Sequence, residues 1–139
     1  MPSLKQKLIK HLSQEVYCRL GVSKTHGVGV FALREIPKGA TPLQTRVKKR
    51  EVRISAEELQ TLPKGVRAQI ERFCFHEKEM YYVPSCGFNT MDLAVYLNHS
   101  KKPNLRFTKS GLLKTLKVIR KGQELTIDYD ASFGDKHRF

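Results

Sequence analysis

The 139 residues make one domain, and a chain of this length buries a working core without disulfide or metal staples. Hydrophobic residues at 40% and charged residues at 28% are ordinary for a globular protein, and no apolar run reaches the length of a membrane span. The formal net charge of +13 favours polyanions. The basic residues are spread along the chain, with one denser cluster at Arg46, Lys48, Lys49, Arg50 and Arg53. Non-specific nucleic-acid contact fits such a surface. Dedicated recognition does not, because no zinc-finger spacing or aromatic-plus-basic stacking motif accompanies it.

Met1 to Leu12 carries lysines but no continuous apolar block and no small-residue cleavage site, so it does not read as a secretory signal. Within it Leu4, Leu8, Ile9 and Leu12 share one helical face, and Ser3 is placed to cap the helix. Docking of this helix on the domain's own surface is the expectation, and no membrane partner is expected. Val16–Val22 reads as a strand, Ser23–Gly27 as a turn, and Val28–Leu33 as a second strand ended by Ile36-Pro37-Lys38-Gly39. Leu43–Ile54 alternates roughly and predicts another strand. Ser55, followed by Glu57 and Glu58, marks a helix start, and Pro63-Lys64-Gly65 a break. Val66–Phe75 predicts a short helix running into a strand, and Tyr81–Val83 is extended.

Asp92–Leu97 predicts a helical turn delivering Asn98. Leu105–Phe107 and Leu112–Ile119 predict a hairpin across Lys109-Ser110-Gly111, and Arg120-Lys121-Gly122 turns the chain into Glu124–Tyr129. Phe31–Gly39 and Leu116–Gly122 echo each other: apolar strand, isoleucine, one residue, lysine, glycine. They read as two similar hairpins and not as a repeat, because no fixed period continues.

Cys18, Cys74 and Cys86 are too few and too scattered for a disulfide framework, and none sits in a Cys-x-x-Cys pair. Reduced thiols in an intracellular compartment, cytoplasmic or nuclear, are the simplest reading. His76-Glu77-Lys78-Glu79 has no second histidine at metalloprotease spacing and reads as a solvated charged face. No metal site is expected, and neither Ser85 nor Ser100 has a nucleophile's setting.

Three short motifs carry the chemistry. Asn98-His99-Ser100, with Pro103-Asn104 behind it, offers amide and imidazole groups on a forced turn. Glu124-Leu125-Thr126-Ile127-Asp128-Tyr129 follows. Gly27-Val28-Gly29 opens the second strand, where glycine permits close main-chain approach and positive φ. Each alone is a weak signal. In this order, from about Tyr17 to Phe133, they resemble the SET-domain protein lysine methyltransferases.

The resemblance implies a mainly β fold of several short sheets, with a small helical insertion at about 55–75 and a threaded, knot-like C-terminal segment. It divides the chain into an N-terminal helical extension (1–16), a SET domain (17–133) and a short tail (134–139). Gly27, Val28, Gly29, Asn98 and His99 would hold S-adenosylmethionine, with the His99 side chain more structural than chemical. Tyr129 would be the catalytic residue, and methyl transfer to a lysine of a protein substrate, a histone or another basic protein, the reaction. Glu124 and Asp128 read as scaffold carboxylates. Tyr82, Phe73 and Ile127 would wall the lysine channel, with Phe73 where many members have tyrosine. Isoleucine at 127, in place of the usual aromatic, implies addition of more than one methyl group. Tyr96 is expected to pack, and Val95 stands where arginine is common.

Lys101 replaces a cysteine that in many relatives joins a zinc site, and no cysteine follows Cys86, so cysteine-rich flanking modules are not expected. The tail, Phe133–Phe139, would then close the site. Glu57, Glu58, Glu71, Glu77 and Glu79 concentrate in the insertion and would favour a basic peptide. The alternative reading is a catalytically inactive SET-fold module that binds a protein or nucleic acid.

Overall fold

The computed structural model describes residues 1–45, 50–90 and 92–132. The basic residues Arg46, Lys48 and Lys49 and the tail from Phe133 lie outside the described residues. No helix among those described is long and apolar enough to cross a membrane.

Helix α1 (Leu4–Gln14) starts with a reciprocal cap. The Ser3 hydroxyl accepts from the Gln6 N–H and the Gln6 side chain accepts from the Ser3 N–H. The expected docking is not found: α1 has no buried residue, and Leu4 and Leu12 are 74% and 59% exposed. At its end the Arg34 guanidinium donates to the Gln14 carbonyl and lies over the Tyr17 ring.

Strands β1 (Cys18–Val22) and β2 (Val28–Ala32) form an antiparallel hairpin. An insertion follows: β3 (Glu51–Ser55), α2 (Ala56–Leu59), α3 (Lys64–Phe73), β4 (Phe75–Glu77) and β5 (Met80–Pro84). Its three strands form a sheet in the order β3-β5-β4. Of the strand predicted over Leu43–Ile54, Leu43, Gln44, Thr45 and Arg50 are turn or loop, and the strand begins only at Glu51. Pro63-Lys64-Gly65 does separate two helices, α2 and α3, but Pro63 is the N-cap of α3, so Lys64 and Gly65 already belong to the second helix, ahead of the expected start at Val66. The β4–β5 turn places Lys78 and Glu79 at φ 51° and 62°, the left-handed pair that a two-residue hairpin demands.

A single 3₁₀ turn at Leu93–Tyr96 delivers β6 (Asn98–His99). Then come β7 (Leu105–Phe107), β8 (Leu113–Thr115), β9 (Glu124–Ile127) and α4 (Tyr129–Ser132). The principal sheet runs β1-β2-β9-β6, so the last strand is inserted between two earlier ones. β9 is antiparallel to β2 and parallel to β6. Asn104 binds it as well, donating to the Glu124 carbonyl at 2.9 Å and accepting from the Thr126 N–H at 2.8 Å. One side-chain amide thus imitates a peptide unit of a neighbouring strand. Tyr129 begins α4 rather than ending the strand, because Asp128 caps the Asp130 and Ala131 N–H groups.

The two echoing segments are not separate hairpins; they pair with each other. Ile36 and Ile119 exchange backbone hydrogen bonds of 2.7 and 2.9 Å. Gly39 N–H reaches the Thr115 carbonyl and Gly122 N–H reaches the Ala32 carbonyl, each four residues before the other isoleucine. Both isoleucines are fully buried. They join Val30, Leu97, Leu105, Leu125 and Ile127 in the main core, while Leu59, Ile70 and Cys74 form a second, smaller core within the insertion.

Candidate active site

The three motifs meet on β9. Alternation along the strand sends Leu125 and Ile127 into the core and Glu124 and Thr126 to the other face. Asn98 pairs with Thr126 across the parallel ladder. Its Nδ2 donates to Glu124 Oε2 at 2.7 Å and to the Val28 carbonyl at 3.1 Å. Both neighbours are acceptors, so chemistry fixes which end of the amide is nitrogen. Asn98 Oδ1 accepts no hydrogen bond among the described residues.

The two glycines of Gly27-Val28-Gly29 are needed for different reasons. Gly27 has φ 57°, and a Cβ there would meet nothing within 4 Å. Its requirement is conformational, and it leaves bare main chain beside open space. At Gly29 a Cβ would lie 2.4 Å from Glu124 Oε2 and 3.0 Å from Asn98 Nδ2. Glycine is required there by the protein's own side chains. Bare main chain at Gly27 and Val28 and an outward amide oxygen suit a zwitterionic group.

His99 Nδ1 accepts from the Tyr129 N–H at 3.1 Å, and the two rings lie 5.5 Å apart. The imidazole therefore fixes the backbone of the tyrosine. The Tyr129 hydroxyl donates to the Leu97 carbonyl, and burial pushes its pKa up, so it stays protonated.

Beside this cluster lies a cleft of about 1030 Å³. Phe73, Tyr82 and Ile127, the three channel residues expected from sequence, all line it. Tyr82 packs on Phe75 at 5.4 Å and Phe73 on Tyr96 at 6.3 Å, which gives Tyr96 its packing role. Val95 lines this cleft too, whereas Gly27, Val28, Gly29, Asn98, His99 and Tyr129 do not. The five insertion glutamates are all exposed and none lines the cleft; among the described residues its carboxylates are Glu51 and Asp92, with Lys109 as cation. Glu58 is occupied capping α2 through Ser55. A second groove of about 420 Å³ lies against α1 and shares Leu43, Gln44, Thr45 and Asp92 with the cleft.

Lys101 Nζ bonds Asp130 at 2.6 Å and Asp128 at 3.3 Å. The hydrogen bond to Asp130 raises the lysine's pKa against a smaller desolvation. Desolvation works to raise Asp128, but Lys101 and the Ala131 and Asp130 N–H groups outweigh it and hold the carboxyl low. His99, Asp128 and Asp130 lie close enough to share a metal ion. The Lys101 ammonium already bonds both carboxylates, so the group carries no argument for a metal. His76 stacks on Tyr81.

The fold is thus a set of small sheets in which a late strand, flanked by two earlier ones, gathers the three motifs at one crossing. The SET domain model matches residues 27–130, and the chain belongs to the SET domain family. It is similar to a crystal structure of a candidate histone methyltransferase from Plasmodium falciparum, at 21% identity and a TM-score of 0.54, covering 86% of this chain and 98% of that one. It is also similar to humanized mutants of the Chaetomium thermophilum Polycomb Repressive Complex 2. With the inhibitor GSK126 bound, the match has 25% identity and a TM-score of 0.54 over 89% of this chain; with GSK343, 24% and 0.56 over 94%. The chain spans only 16% and 17% of those two chains. No curated protein sequence matches it significantly.

Sequence reading passed over three residues. Ser23, buried at the β1–β2 turn, donates to Glu124 Oε1 at 2.8 Å. Asn104 was read only as a turn former. Glu124 was read as scaffold that pairs with basic neighbours, yet its partners are the neutral Ser23 and Asn98. A carboxylate at the first residue of an apolar strand gives no sequence signal of what it will face.

Proposed function

We propose that this SET domain transfers methyl groups from S-adenosylmethionine to a lysine side chain of a protein. The observation that carries the reading is the convergence of Gly27-Val28, Asn98 and Tyr129 at the β2–β9–β6 crossing, next to a cleft walled by Phe73, Tyr82 and Ile127. Membership of the SET domain family supports it.

The bound cofactor supplies an electrophilic methyl group on a sulfonium. The chain's own residues have three tasks. Gly27, Val28 and Asn98 meet the amino-acid end of the cofactor with main-chain groups and the Asn98 oxygen, and His99 holds the backbone of Tyr129. The aromatic and aliphatic cleft walls disfavour the charged form of an entering lysine and so favour the neutral amine. Tyr129, kept neutral by burial, orients that amine by hydrogen bonding, and alignment supplies much of the rate. Glu51 and Asp92 in the cleft lining suit a basic protein segment, such as a histone tail. The helical extension (1–16) and the tail (134–139) flank the domain in this reading. The protein works in a reducing intracellular compartment, and its basic surface adds non-specific nucleic-acid contact.

Calorimetric titration with S-adenosylhomocysteine, alongside Asn98→Ala and Tyr129→Phe, tests the proposal. Wild type should bind one equivalent, and Asn98→Ala should lose at least about tenfold in affinity. Tyr129→Phe should bind normally but methylate basic protein substrates about 10²-fold more slowly. Near-normal turnover by Tyr129→Phe would remove that residue's role. No binding at millimolar ligand would favour a binding module for protein or nucleic acid.

A further inference from the structure

Glu124 stands at the junction of every segment placed around the cofactor. Its Oε2 accepts from Asn98, and its Oε1 accepts from Ser23. The Ser23 oxygen in turn accepts from the Thr25 N–H at 3.2 Å and the His26 N–H at 3.4 Å, and the Ser23 N–H binds the Gly27 carbonyl at 2.6 Å. One carboxylate therefore ties together the β1–β2 turn, the Gly27–Gly29 segment and β6. It is half-buried, and it lies so close over Gly29 that no Cβ fits between them.

The consequence for Asn98 is specific. An amide can turn over and exchange its oxygen and nitrogen at little cost unless its partners discriminate. Here the carboxylate and the Val28 carbonyl are both acceptors, and they engage the nitrogen. The oxygen is left pointing away from both. An outward oxygen accepts from an ammonium; an outward NH₂ would repel one.

We infer that Glu124 is a positioning residue for cofactor recognition: it locks the Asn98 amide with its oxygen outward, so that the site selects the amino group of the methionine end. The inference rests on the proposed cofactor reading and assigns Glu124 no part in the methyl transfer itself. Asn98 Oδ1 and the bare main chain at Gly27 and Val28 make the contact; Glu124 acts through them.

The test uses two ligands, S-adenosylhomocysteine and 5′-methylthioadenosine, which lacks the amino-acid end. Glu124→Leu removes the acceptor that orients the amide. It should weaken S-adenosylhomocysteine about tenfold or more, the worth of a charge-assisted hydrogen bond, and change methylthioadenosine by less than about twofold. Glu124→Gln can keep its oxygen on Asn98 and donate to Ser23, so it should retain S-adenosylhomocysteine affinity within about threefold.

Equal loss of both ligands in Glu124→Leu, or no loss of either, overturns the inference. So does a tenfold loss in Glu124→Gln, which would mean that the negative charge itself is what counts. Should Glu124→Leu fail to fold, Glu124→Ala, which also removes the acceptor, carries the same two-ligand comparison. A wild type that binds neither ligand would instead defeat the cofactor reading.

Discussion

The principal sheet and the insertion differ in how they are held. In the sheet, β9 is gripped from both sides by main chain and again by Asn104, and its inward residues Leu125 and Ile127 are almost wholly buried. The insertion closes on three buried residues, Leu59, Ile70 and Cys74, and spends its aromatic side chains Phe73, Phe75 and Tyr82 on the wall of the cleft. A surface that must admit a polypeptide cannot also be packed to core density. On the proposed reading the difference is a division of labour: the sheet would hold the cofactor contacts rigid, and the insertion would shape what enters.

The largest effects should come from breaking either core. Leu125→Ala and Leu59→Ala both delete fully buried side chains, and each should cost about 2–5 kcal/mol by denaturant unfolding. Against a total of about 5–15 kcal/mol this is severe. Their functional consequences should separate. Leu125→Ala disturbs the strand that carries Glu124 and pairs with Asn98, and should weaken S-adenosylhomocysteine. Leu59→Ala, in the other core, should leave that affinity within about twofold. Loss of cofactor binding in both would show that the two regions act as one unit.

A smaller effect, on product rather than on stability, is expected at the seam. Ile127 belongs to the sheet yet lines the cleft. Ile127→Phe adds volume on the lysine side and should cost about 1–3 kcal/mol from overpacking. If the isoleucine leaves room for successive transfers, the wild type gives di- or trimethylated product by mass spectrometry and the variant mainly monomethylated product. A wild type that stops at one methyl removes the basis for this role.

How much of this was legible follows the same division. Apolar runs bounded by turn residues located β1, β2, β7, β8 and β9, although the run over Leu112–Ile119 is strand only at Leu113–Thr115. The motif residues were readable since their spacing and order are distinctive. The insertion was harder. Pro63-Lys64-Gly65 reads as a breaker when only local propensity is weighed, and it does separate two helices, but in three dimensions it is also the start of the second. The glutamates there looked like substrate contacts because sequence shows charge and hides direction; they face solvent. The echo at Ile36 and Ile119 was visible as pattern, but pairing between residues so distant in sequence has no local signature. The exposure of α1 is similar: an apolar stripe predicts the helix and not what lies against it.

The buried cysteines offer the finest test, since each region holds one. Cys18 lies in the main core and burial pushes its pKa up to about 12; Cys74 lies in the insertion, where burial and then the Glu51 charge push it up to about 11. Both folded values exceed the ordinary 9.0. The stabilising contribution is therefore complete below pH about 9 and is lost as pH rises through about 11 and then about 12. At pH 8 and 25 °C an alkylating reagent should modify the exposed Cys86 first. Cys74 should follow through local opening, and Cys18 should wait for global unfolding. A rate ratio between Cys74 and Cys18 of about tenfold would correspond to about 1.4 kcal/mol between the two openings. Equal rates would mean that the small core never opens by itself, and the cleft wall would then be as rigid as the sheet that faces it.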